Sequence, residues 1–205
     1  ILSWSTFVGG TAGTGSGNIN DITLKNDFMT TDVYGTGYYN ASYPTTVGTY
    51  DQTFNGGEDV FVFRLNSTGT AMVWATYVGG PGNDRGQGII IKPANPDINS
   101  SIYVTGYTAS PAFPTPLGAY DVAYNGGATD AFCFQLNGDG SVLNWSTFLG
   151  GSADDYATEI DLDGAGNPYY TGYTNSANFP TSLGAFDVTY NGGYDAYYTQ
   201  LNAFG

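Results

Sequence analysis

The chain has 205 residues, enough for a sizeable core, and carries 18 acidic residues against four basic ones, a net charge of −14 with no histidine. So few cations (Lys25, Arg64, Arg85 and Lys92) cannot neutralise a phosphate backbone, which excludes nucleic acid as a partner and disfavours anionic membrane surfaces. Without His the commonest general base and metal ligand are missing, and the lone Cys133 can form no internal disulfide. Cys133 sits in an apolar strand-like run and reads as a small core residue. No run is long and apolar enough to cross a bilayer as a helix, so no membrane insertion is expected. The 31 Gly, 18 Tyr and 12 Phe favour tight turns and pleated strands.

In chain order, Leu2–Val8 is an apolar strand centred on Trp4 and closed by Gly9-Gly10. Residues 11–17 have little apolar content, and no strand is placed there. Gly37-Tyr38, Tyr43-Pro44-Thr45 and Phe54-Asn55-Gly56-Gly57 follow as landmarks, then a strand with Phe61, Phe63 and Leu65 on one face. Val73–Val78 repeats the opening motif around Trp74, again before Gly-Gly. The second copy runs through strands Gly88–Ile91 and Ile102–Tyr107, the landmarks Phe113-Pro114-Thr115 and Tyr124-Asn125-Gly126-Gly127, and the strand Asp130–Leu136. A turn at Asn137–Gly140 leads into the strand of Trp145 and Gly150-Gly151. The third copy has a hairpin turn at Asp163–Asn167, then Gly172-Tyr173, Phe179-Pro180-Thr181 and Tyr190-Asn191-Gly192-Gly193, and runs to Gly205.

Landmarks recurring in one order, with Trp4, Trp74 and Trp145 at intervals of 70 and 71 residues, define an internal repeat. Two hairpins in series make one four-stranded unit. The expected architecture is all-β: three tandem, four-stranded, antiparallel propeller-type blades with the N-terminal strand offset from its blade. Residues 1–10 are an orphan donor strand, 11–80 blade one, 81–151 blade two, and 152–205 a third blade lacking its fourth strand.

The combination of Trp145-Ser146-Thr147-Phe148-Leu149-Gly150-Gly151, Tyr170-Thr171-Gly172-Tyr173-Thr174, Phe179-Pro180-Thr181, Gly118-Ala119-Tyr120-Asp121 and Tyr124-Asn125-Gly126-Gly127 resembles the SBBP-type bacterial β-propeller repeat. The resemblance covers nearly the whole chain. It implies a scaffold or interaction module of a secreted or surface-attached protein, with no shared catalytic residues. The low Lys content and an opening without a charged leader agree with an extracellular or cell-surface location.

Three blades are too few for a closed propeller, which usually has four to eight, so the offset strand is expected to pair with another chain. Ile1, Leu2, Trp4, Phe7 and Val8 would meet Tyr197, Thr199 and Leu201 of a neighbour. Repetition without closure gives an open filament of identical subunits. Reciprocal exchange gives a closed six-bladed dimer, and a larger propeller would supply the strand from further blades. The alternative to a structural filament is an adhesin or glycan-binding propeller.

Asp161, Asp163 and Asn167 have oxygen spacing reminiscent of a calcium loop, without its terminal Glu, and read as a polar turn. Asp154 and Asp155 read as caps of backbone N–H groups, with cation binding as the sharper alternative. The carboxylates Asp59, Asp130 and Asp195 recur with the repeat, which suits architecture better than a single active site; no enzymatic activity and no cofactor are expected. Asn40, Asn66 and Asn99 fit the N-glycosylation tripeptide.

Overall fold

The computed structural model describes residues 2–9, 15–26, 30–41, 43–116 and 118–205. Its strands form three antiparallel sheets. Sheet 1 contains β1 (Gly17–Asn26), β2 (Thr31–Tyr39), β3 (Asp59–Leu65) and β4 (Met72–Val78). Sheet 2 contains β5 (Asp84–Lys92), β6 (Ser101–Thr108), β7 (Asp130–Asn137) and β8 (Leu143–Leu149). Sheet 3 contains β9 (Asp155–Leu162), β10 (Pro168–Thr174) and β11 (Asp195–Gln200). Strands pair in sequence order, as short hairpin connections require. A bulge recurs at one place in all three sheets, opposite the Thr-Gly step of the second strand: between Ile19 and Asp21, between Gly86 and Gly88, and between Glu159 and Ala157.

The sheets stack face to face. One core joins sheets 1 and 2 through Val60, Val62 and Trp74 against Ile89, Ile91, Phe132 and Phe148. A second joins sheets 2 and 3 through Tyr103, Cys133, Trp145 and Leu149 against Ile160, Tyr170 and Leu201. Sheet 2 is therefore covered on both faces. That is why Ala131, Cys133 and Gln135 are buried along with Phe132, Phe134 and Leu136, although alternation in β7 suggests one apolar face. Cys133 is a core residue, and burial pushes its thiol up. Polar links tie the stack: Asp97, in the β5–β6 turn, accepts from Lys25 of β1 and Arg64 of β3, and Ile89 N donates to Asp21 Oδ2.

Two elements differ from the sequence reading. The first strand of copy one, which the pattern does not locate, is β1. Its Ile22 and Leu24 are half exposed, so it lacks the apolar density of β5. Residues 2–9 form no strand. Strand geometry needs a partner edge, and the described residues give this segment none.

Candidate assembly site: the open edge of the third sheet

Comparison of the repeats shows what the fourth strand does where it is present. In sheet 1, Thr76 Oγ1 donates to Asp51 O (3.0 Å) and accepts from Asp51 N (2.9 Å), while Tyr77 N donates to the same Asp51 O (3.0 Å). In sheet 2, Thr147 and Phe148 make these bonds to Asp121. The aromatic residue is then enclosed by the landmark loop: Tyr77 meets Phe54, and Phe148 meets Phe113 and Tyr124. The tryptophan of the strand packs edge-on against a tyrosine of the second strand, at 6.1 Å for both Tyr34–Trp74 and Tyr103–Trp145.

Sheet 3 has three strands among the described residues, and its loop and second-strand residues match those that meet the fourth strand in sheets 1 and 2. The counterparts of Asp121, Phe113, Tyr124 and Tyr103 are Asp187, Phe179, Tyr190 and Tyr169. Asp187 sits in the same turn, its Oδ1 accepting from Thr189 N as Asp121 Oδ1 accepts from Ala123 N. Among the described residues, its backbone N–H and C=O bond to no strand. A groove of about 960 Å³ runs along the free edge of β11, lined by Leu149, Phe179, Tyr190, Asp195, Tyr197 and Leu201 among others. Among the described residues no other sheet covers Tyr198, which lies beside the Tyr169 ring and is 72% exposed.

Residues 2–9 carry the motif of a fourth strand. Trp4, Thr6 and Phe7 align with Trp74, Thr76 and Tyr77, and with Trp145, Thr147 and Phe148. Phe7 is 102% exposed, whereas Tyr77 and Phe148 are both 0% exposed. The segment is nevertheless not loose against its own sheet. A Cβ on Gly69 would stand 2.5 Å from the Trp4 indole, on Gly140 2.8 Å from the Trp74 indole, and on Gly205 2.7 Å from the Trp145 indole. These three glycines have φ of +66°, +69° and +89°, a region that glycine alone enters freely. Each tryptophan thus clasps the third-to-fourth-strand turn of the following sheet. Trp4 stands to sheet 1 as Trp74 stands to sheet 2.

Ile1 lies outside the described residues; Leu2 is exposed, while Val8 packs on the outer face of sheet 1. Tyr197 and Leu201 border the groove but pack into the core shared with sheet 2, and burial pushes the Tyr197 hydroxyl well up. Thr199 is half-buried on β11. Asp163 spends Oδ1 on the N–H groups of Ala165, Gly166 and Asn167 and Oδ2 on Asn167 Nδ2, which holds its carboxyl below the usual range. Asp161 Oδ1 accepts from Leu162 N, and Asp154 Oδ1 from Ala128 N. Asp155 is buried at the start of β9. Among the described residues, no three acidic or cysteine side chains are grouped as a metal centre. Asn40 and Asn99 are exposed, and Asn66 caps its own turn by accepting from Thr70 N and Ala71 N. Sequence reasoning did not single out Tyr169, Asp187 and Tyr190, the sheet 3 counterparts of Tyr103, Asp121 and Tyr124. Their signal was available in the alignment of the third copy with the second.

A family model for a beta-propeller repeat, SBBP, matches this part of the chain. The match covers residues 144–180. The SBBP match begins on β8 of sheet 2, runs through β9 and β10 of sheet 3, and ends at the Phe179-Pro180 landmark. It therefore starts with a fourth strand and crosses into the following sheet. The landmarks place residues 3–44 and 73–114 in the same phase. No curated protein matches the chain.

Proposed function

We propose that the chain is the structural subunit of an extracellular filament, in which each copy lays residues 2–9 along the open edge of β11 in its neighbour and completes that neighbour's third blade. The observation that carries this reading is Phe7: fully exposed here, it occupies a position whose two counterparts are fully buried by strand pairing. Thr6 and Phe7 would bond to Asp187, the Phe7 ring would fill the space between Phe179 and Tyr190, and Trp4 would pack on Tyr169. Because Trp4 already clasps Gly69, the donated strand and sheet 1 would arrive together. Ile22 and Leu24 of β1, half exposed where their counterparts Ile89 and Ile91 are buried, would then face Tyr169 and Tyr198.

The magnitudes suit a combined contact. Burying Phe7 removes on the order of 200 Å² from water, about 5 kcal/mol gross. Association costs about 4–15 kcal/mol, so the strand alone is marginal and the sheet-on-sheet contact is needed. The extracellular setting rests on composition and on the SBBP resemblance.

The direct test is the Phe7→Asp variant. Phe7 is solvent-exposed in the single subunit, so the variant should fold with unchanged melting yet remain monomeric in mass photometry. A second variant carries a further copy of residues 2–9 after Gly205, through a short linker. It should complete its own third blade and also stay monomeric. Normal assembly of both variants would overturn strand donation.

A further inference from the structure

Pairs of aspartates are buried where successive sheets meet. Asp59 opens β3 and faces Asp84, which opens β5; Asp130 opens β7 and faces Asp155, which opens β9. All four are 0% exposed. Each pair lies against the glycine that follows a fourth strand. A Cβ on Gly79 would stand 2.8 Å from Asp59 Oδ1 and 3.0 Å from Asp84 Oδ2. On Gly150 it would stand 3.0 Å from Asp130 Oδ1 and 2.8 Å from Asp155 Oδ2. The facing oxygens of each pair are therefore at most about 6 Å apart, close enough for two buried negative charges to repel strongly.

The two members of a pair are not equivalent. Asp84 accepts from Gly80 N (2.7 Å), Ser110 Oγ (2.9 Å) and Thr108 Oγ1. Asp155 accepts the corresponding three bonds from Gly151 N, Ser176 Oγ and Thr174 Oγ1. Burial raises both carboxyls on balance, and these three donors work against it by favouring the anion. Asp59 and Asp130 each accept from one backbone N–H through Oδ2, those of Asn55 and Asn125, and their Oδ1 atoms are buried without a partner. A bare buried oxygen beside a solvated-by-protein anion favours the acid form. The other titratable groups bearing on Asp59 are Asp51 and Tyr77; those bearing on Asp130 are Asp121, Asp154 and Tyr124. Arg85, next to Asp84 in the chain, is spent on Glu58.

We propose that Asp59 and Asp130 are proton-binding sites, and that each junction between successive sheets is closed by a carboxyl pair holding one proton between its two members. The pairing is a repeated device and not an accident of one loop, since the same four-group arrangement occurs at both junctions. Burial, the largest influence, pushes Asp59 and Asp130 up to about 7, with the neighbouring carboxylates Asp84 and Asp155 adding to it. A free Asp titrates near 3.9. The folded chain therefore holds these protons more tightly than the unfolded chain. Their contribution to stability is complete below about pH 4 and is lost as pH rises through about 7.

The experiment is a carboxyl-carbon NMR titration of the full chain labelled at aspartate, with melting followed from pH 5 to pH 8. Two aspartates titrating near 7, and a melting temperature that falls over that interval, are expected. The Asp59→Asn, Asp130→Asn double variant mimics the protonated pair and should lose most of the fall. If every aspartate titrates below pH 5, or the double variant keeps the full slope, the proposal is overturned. It is likewise overturned if Ca²⁺ at pH 8 stabilises the native chain but not the double variant, because the pair would then be a cation site. The titration on the native chain decides the matter even if the double variant fails to fold.

Discussion

Threonine at the third position of the Trp-x-Thr-aromatic motif bonds twice to one loop residue, donating to and accepting from the backbone of Asp51 in sheet 1 and of Asp121 in sheet 2. Thr147→Val removes both bonds and leaves the part-buried Asp121 N–H without its acceptor, so it should cost about 1–3 kcal/mol in urea unfolding. Thr6→Val touches no bond within the described subunit beyond a 3.5 Å contact to Phe7 O. It should leave subunit stability unchanged and weaken assembly about tenfold or more, since about 1.4 kcal/mol is a factor of ten. At this scale the sequence was partly legible. Asp155 was read as a loop carboxylate capping N–H groups, and it does cap Gly151 N. Its burial beside Asp130 could not be read, because the two carboxylates come from different repeats and meet only when sheets 2 and 3 stack.

The elements of sheet 2 were legible because apolar β-branched and aromatic runs are bounded by Gly-rich turns, as in Gly88–Ile91 and Asp130–Leu136. β1 was not. Its apolar positions are Ile19, Ile22 and Leu24, spread among Asn, Asp and Thr and interrupted by the bulge at Asn20, so period-two alternation breaks. Residues 2–9 show the opposite failure: the motif reads as a strand, yet a strand exists only with a partner. The same logic bears on dynamics. β11 has a free edge, whereas β7 is paired on both sides and covered on both faces. Amide hydrogens of β11 should exchange well before those of β7 in the monomeric Phe7→Asp variant, and should become protected in assembled native material. Equal protection of β11 in the two states would mean that its edge is not where copies meet.

For the whole molecule, three sheets stacked by one repeating set of contacts leave a different face open at each end. Sheet 1 presents Ile22 and Leu24 together with the exposed Phe7, and sheet 3 presents Tyr198 and the groove along β11. The two faces correspond to the two sides of an internal junction, as a head-to-tail contact between identical units requires. The net charge of −14 should oppose close packing of copies, so assembly should strengthen with added salt as repulsion is screened. The most direct measurement is electron microscopy of the 205-residue chain at moderate ionic strength. Long unbranched filaments with an axial repeat of one three-sheet subunit, absent in the Phe7→Asp variant, are the predicted result. Single particles of one chain, or closed rings of two, would contradict a filament built by strand donation.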